Sequence, residues 1–328
     1  MIRRIFMLVL AAGLLLSCSK SQDVTVPEVV DDPCEVLVNI VGDGMVRSTD
    51  NSPDNESRVN HLQVLIFDEE GRICDYKDAG GVISTSVLTS TGKKRIWCLV
   101  NFPIADGIDT EDELLSMRMS LSDNRLDGFL MSGFVDANLE DMDVVSVNVK
   151  RYVSKVSISR ISSSFSSASV AELPMKICGI YMVNVAGDAS VGLDGEVNRW
   201  VNRLGHADSD HDYLLYDEVS CRLTAEEPYI AEHSFYVFPN RRKDDAGSAT
   251  WQPLQTILSI EVELDGQRGW YPIVIPDVQR NIHYKIDELI ITRRPSPSPY
   301  DPVGEGEAVF DVNVTEWGLG LNLGTIVI

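Results

Sequence analysis

Three stretches hold residue types that can do chemistry at their spacing. The first is Leu15-Leu16-Ser17-Cys18. A leucine three positions before a cysteine, with a small residue between, is the pattern of a bacterial lipoprotein box. The Cys18 thiol would take a lipid there and become the new N-terminus. The second is His206-Ala-Asp208-Ser-Asp210-His211-Asp212, whose three alternating carboxylates match the opening of a calcium loop. Tyr213 stands where such a loop needs glycine and Val219 where it needs a bidentate acid, so a solvated loop is expected and no metal. The third is Thr91-Gly92-Lys93-Lys94, which lacks the upstream glycine and the following hydroxyl of a phosphate loop and reads as a turn before a strand. No Gly-x-Ser-x-Gly elbow occurs, and no histidine lies near a cysteine in sequence. No catalytic residue, no cofactor and no enzyme activity is expected.

The elements that surround these stretches begin with a leader. Arg3 and Arg4 precede an apolar run from Ile5 to Leu16, too short to span a bilayer, which takes roughly 20 residues. It has the form of a secretory signal peptide, and the lipid on Cys18 is the only membrane attachment implied. The whole 328-residue chain is acidic, with 28 Lys and Arg against 50 Asp and Glu and a net charge of −22. Such a surface repels phosphate backbones and argues against nucleic acid as a partner. Cys34, Cys74, Cys98, Cys178 and Cys221 are scattered without a Cys-x-x-Cys pair, so neither a zinc site nor a disulfide framework is expected.

Past a polar tether, Cys34–Val41 reads as a first strand with Val36, Val38 and Ile40 on one face. A polar loop out to Ser57 follows, and Arg47, at its head, is the only base between Lys20 and Arg58. Loops of this kind are where proteases cut. Period-two alternation then recurs through Leu62, Val64 and Ile66, through Ile96, Cys98, Val100 and Phe102, and through Leu258, Ile260, Val262 and Leu264. One helix is predicted, with Thr110 as N-cap and Glu113 closing a capping box. About a dozen short strands and one short helix make the chain all-β, most simply two sandwiches in series. No 20–50-residue repeat is visible. A stiff link at Pro295, Pro297, Pro299 and Pro302 leads to a strand through Phe310, Val312 and Val314, and then to the tail.

That tail, 317–328, has no charged side chain, and Leu319, Leu321 and Leu323 share one side of an extended strand. Ile326 and Ile328 fall on the other side unless a bulge intervenes near Gly324. A bare apolar strand at a chain end must be covered. It either tucks into its own domain as a last strand or is buried in another molecule.

Several segments in order resemble one family. They are the box at Cys18, Arg47 before its loop, 57–67, 92–102, Ser234-Phe-Tyr-Val-Phe-Pro-Asn240, Tyr271-Pro-Ile-Val-Ile275, Arg280-Asn-Ile-His-Tyr-Lys-Ile286 and Val312-Asn-Val-Thr-Glu-Trp317. Together they resemble the fimbrillins, the FimA/Mfa-type pilus subunits of Bacteroidales. The resemblance implies two tandem transthyretin-like β-sandwich domains. It implies a signal peptide over 1–18, a tether and removable strand over 19–47, an N-terminal domain over 48–150 and a C-terminal domain with a donor tail over 151–328. It further implies export as a lipoprotein to the outer membrane and cleavage after Arg47 by an arginine-specific processing protease. Residues Leu319, Leu321, Leu323, Ile326 and Ile328 would then fill the groove of a neighbouring fimbrial subunit. The lipidated precursor would sit in the outer membrane and the polymer outside the cell, as stalk or tip. The other readings are a non-polymerising anchor, or a surface lipoprotein that binds glycan or host protein.

Overall fold

The structure is a computed structural model that describes residues 32–42, 46–47, 56–202, 212–240, 255–275, 277–299 and 321–328, with the backbone alone at 46–47, 212–213 and 321–325. Cys18, Leu319, the strand expected through Phe310–Val314 and all but Asp212 of the acidic loop lie outside the described residues.

Among the described residues fifteen principal strands are found. In the first half they are β1 (Pro33–Val41), β2 (Leu62–Phe67), β3 (Ile73–Gly80), β4 (Ser84–Ser90), β5 (Gly92–Val100), β6 (Met131–Leu139) and β7 (Val144–Asn148). In the second half they are β8 (Ser154–Ser163), β9 (Met175–Val183), β10 (Tyr216–Leu223), β11 (Tyr229–Val237), β12 (Thr256–Leu264), β13 (Gln267–Ile275), β14 (His283–Ile291) and β15 (Leu321–Val327). The predicted helix is present as α1 (Glu111–Ser116), and its capping box forms, with the Glu113 amide donating to Thr110 Oγ1 at 3.2 Å. Among the described residues two single turns of α-helix join it, α2 (Ala168–Ala171) and α3 (Asp212–Leu215).

The strands form two sandwiches of the same topology. In the first, the sheet β7-β1-β4 faces the sheet β6-β5-β2-β3. In the second, the sheet β11-β8-β14 faces β13-β12-β9-β10. Each sandwich opens with a strand (β1, β8) that sits mid-sheet, antiparallel to one neighbour (β4, β11) and parallel to the last strand of its own sandwich (β7, β14). The second sandwich carries one strand more, β15, laid parallel on the outer edge of β14.

Alternation explains the cores. Val36, Val38 and Ile40 of β1 pack on Leu62, Val64, Ile66, Ile96, Cys98 and Val100, which are the residues whose period of two marks β2 and β5. The intervening residues Leu65, Phe67, Trp97 and Leu99 are buried too, on the far face of the same sheet. There they join α1, Tyr152 and the second sandwich in one continuous apolar cluster. The sheet β6-β5-β2-β3 is therefore buried on both faces in its central strands, which is why β2 reads as a nearly unbroken apolar run.

Candidate functional site

Sequence reasoning singled out β1, and its surroundings can be built up from single contacts. Cys34, Val36, Val38 and Ile40 point into the core and are at most 5% exposed, while Glu35, Leu37 and Val41 face out. Backbone ladders hold the strand from both sides, to β4 over Pro33–Asn39 and to β7 over Leu37–Val41. Burial of Val36, Val38 and Ile40 stabilises it by about 5–9 kcal/mol. Polar side-chain ties are few. Ser84 Oγ donates to Asn39 Oδ1 at 2.5 Å, and the Glu35 amide donates to Asp141 Oδ1 at 3.2 Å. Among the described residues no ion pair involves a β1 side chain. Its counterpart β8 is different, with Lys155 paired to Glu56 at 2.7 Å and Arg160 to Glu288 at 2.8 Å. Two strands thus hold the same place in the same topology, and only the second is fastened by charge.

Without β1, the sheet β7-β1-β4 would lose its centre. The exposed trough would have Leu62, Val64, Ile66, Ile96, Cys98 and Val100 as its floor, with Val87 on one wall and Val145 and Val147 on the other. Burial holds the Cys98 thiol well above the usual thiol range. Cys34 is raised as well, mainly by burial and then by the Asp141 carboxylate. No disulfide forms among the described cysteines.

The arginine beyond β1 lies in extended backbone, with Val46–Arg47 paired in parallel to Arg58–Val59. Arg58 is the next arginine, and its backbone is tied into the fold. Its Nε is buried, its carbonyl accepts from Asn101 Nδ2 at 2.9 Å, and Val59 beside it has no exposure. Asn101 is itself held at φ +62°, with its Oδ1 accepting from the amides of Asn60 and His61 at 2.8 and 3.2 Å. The residues before Arg58 are tied to the second half. Glu56 Oε1 accepts from Lys155 Nζ at 2.7 Å and from the Tyr236 hydroxyl at 2.5 Å, and Arg151 donates to Ser57 Oγ at 2.5 Å.

The tail takes one of its two expected dispositions in this structure. β15 pairs with β14 from Tyr284↔Leu321 to Ile290↔Val327, and the ladder shifts register around Gly324, where a bulge is needed to bring the isoleucines inward. Ile326 is buried at 3% exposure in the second core, and Ile328 packs partly against it. The Ile328 amide donates to the Ile290 carbonyl at 2.9 Å, and Thr292 Oγ1 donates to the Ile328 carbonyl at 2.8 Å.

No protein-family profile and no curated protein matches the sequence. Solved structures do match. A candidate cell adhesion protein of Bacteroides eggerthii superposes with a TM-score of 0.63 at 17% identity, over 90% of this chain and 98% of that one. A fimbrillin (FimA) of Porphyromonas gingivalis gives a TM-score of 0.60 at 14% identity, over 91% and 98%. The C-terminally truncated tip fimbrial protein Mfa3 of Porphyromonas gingivalis gives 0.51 at 14%, over 78% and 95%. The chain has the fimbrillin fold. All three of these neighbours are fimbrial or adhesion proteins rather than enzymes.

Within the fimbrillin fold, Arg280 has a job that spacing could not reveal. Its guanidinium lies 4.1 Å from the Tyr152 ring and donates to the carbonyls of Arg151 and Ser132 at 3.2 Å and to that of Lys150. Asn281, at φ +59°, accepts through its Oδ1 from the Arg151 amide at 3.2 Å. These two residues fix the segment between β7 and β8, and with it the seam between the sandwiches of the fimbrillin fold. The only sequence signal was an Arg-Asn pair directly before a strand. A second cluster is a staple rather than a site. In a cleft of about 450 Å³, Arg95 is clamped by Asp136 at 2.6 Å and by Glu111 at 3.2 Å, which locks α1 to β5 and β6.

Proposed function

We propose that this protein is a fimbrial subunit that polymerises by strand exchange after cleavage at Arg47, in a stalk or at a tip, and supports adhesion. It is exported as a lipoprotein on Cys18, and the lipidated precursor is held at the outer membrane until an arginine-specific protease acts. The observation that carries the reading is the setting of β1. It is a mid-sheet strand held by ladders and small apolar side chains, without ion pairs, and it leads to Arg47. Cleavage there turns β1 from part of a continuous chain into a peptide that can leave. The donor is the tail of another subunit. Leu319, Leu321 and Leu323 offer about 5–9 kcal/mol on burial, close to what β1 withdraws. Two backbone ladders add to this, as in strand-addition complexes, while association and ordering of the tail oppose it by several kcal/mol. The balance favours a long-lived joint only in an emptied groove, so cleavage must come first.

The docking of β15 on its own sheet favours a second reading. In it the tail is a permanent last strand, and the chain is a non-polymerising anchor or a surface lipoprotein that binds glycan or host protein. One experiment separates the two. Purified protein treated with an arginine-specific protease should yield ladders that resist SDS, with Ser48 as the new N-terminus. Cleaved protein that stays monomeric would sink strand exchange.

A further inference from the structure

In their principal strands the two sandwiches share one order and differ at one edge; the short Lys150–Arg151 strand pairs with β6 at Met131–Ser132. In the second, β15 covers the outer edge of β14, and beneath it the inward residues of β13, Tyr271, Ile273 and Ile275, are at most 3% exposed. In the first, β7 occupies the place of β14, and among the described residues nothing pairs with its outer edge. Beneath that edge, Val135 and Ala137 of β6 pack against the core yet remain only half-buried. The sandwich stays open where its twin is closed.

The composition of β7 makes the open edge unusual. Val144-Val-Ser-Val-Asn148 has no charge and no proline, the devices by which soluble proteins guard an unpaired edge, and Val144 is 64% exposed. Register fixes which groups face outward. The Leu37 amide donates to the Asp143 carbonyl at 2.8 Å, and the Val149 amide donates to the Val41 carbonyl at 3.0 Å. Odd positions of this parallel pair therefore turn to β1, leaving the N–H and C=O of Val144 and Ser146 for the outer edge, while the Asn148 carbonyl lies against Gly133 of β6.

We propose that the outer edge of β7 takes the tail strand, Leu321–Val327, of a second copy of this chain, laid parallel to β7 and covering Val135 and Ala137. That strand is the natural occupant because it already fits the equivalent edge of β14, in the same parallel sense. With β1 in place, the docked strand has a ladder on one side only. The contact is weaker than an inserted strand and reversible, and it needs no cleavage. It would bring a second tail alongside the β1 trough before that trough opens.

The test uses the full chain with Arg47→Ala, which keeps β1 attached, titrated with a fluorescent peptide of residues 318–328 and followed by anisotropy. Saturable binding is expected. Ser146→Pro removes one outward N–H and no bond to β1, a placement an edge strand tolerates, and should weaken binding about tenfold or more. Val135→Lys, which places a charge under the docked strand, should do the same, with the melting temperature of each variant confirming its fold. Absence of binding to the Arg47→Ala chain overturns the proposal. So does binding that neither variant weakens, as exchange with the resident β15 would give. Binding that appears only after cleavage of the wild-type chain also overturns it, while leaving strand exchange itself intact.

Discussion

His283 lies half-buried at the start of β14, with Nε2 2.8 Å from Ser157 Oγ. Burial, assisted by the neighbouring Lys155 ammonium, pushes its imidazole down to about 4. The folded state therefore refuses a proton that the unfolded chain accepts near pH 6.5. Stability from this residue is complete above that pH and is lost as pH falls from about 6.5 to 4. Solvent still reaches the ring, which holds the loss to about 1–2 kcal/mol. Denaturant melts across that range should show the slope, and His283→Gln should flatten it. An unchanged slope would mean that other groups set the acid sensitivity. Asn101 governs a second outcome at this scale. Cutting by an arginine-specific protease should give Ser48 alone in the wild type, because Asn101 holds the Arg58 carbonyl. In Asn101→Ala, N-terminal sequencing should find Val59 as well. A second cut already present in the wild type would show that Arg58 is unprotected.

Among the elements, β1 and α1 were legible for physical reasons. Alternation over Val36–Ile40 survives because one face of β1 is sealed and the other wet, and α1 announces itself through a box that its end requires. Strands β4, β6 and β10 were not legible. Their outer residues mix polar side chains with exposed apolar ones such as Leu88 and Phe134, which blurs the alternation, and edge positions tolerate almost any side chain. The setting of Arg280 was hidden because its partners are backbone carbonyls, which leave no mark on composition. The tail is the element whose two readings make opposite demands. Deleting 318–328 removes the burial of Ile326, about 1.5–3 kcal/mol, and should lower the monomer's melting temperature by roughly 3–10 °C. On the strand-exchange reading the deleted protein is still cut at Arg47 but never extends a fibre. Ladders formed without the tail would rule it out as donor. Leu321→Asp tests the same step with a smaller change, and should block extension while cleavage proceeds normally.

For the molecule as a whole, the repeated topology is the feature that the residues conceal most thoroughly. Apart from β15, the principal strands of the two sandwiches match in pairing order and sense, yet no repeat shows in the sequence, because a sandwich constrains which positions are apolar far more than which side chains fill them. The placement of β1 within that plan has a mechanical consequence. A strand flanked by ladders on both sides and pulled along its length loads all of those bonds together, in shear, whereas a strand drawn away from one end gives them up one by one. A subunit joint that reuses the place of β1 would therefore hold under tension and then fail abruptly, whereas β15 on β14, with a ladder on one side only, resists less. Stretching single fibres with optical tweezers should show rare, high-force ruptures between subunits. Joints that part gradually and at low force would show that the load runs along some other path.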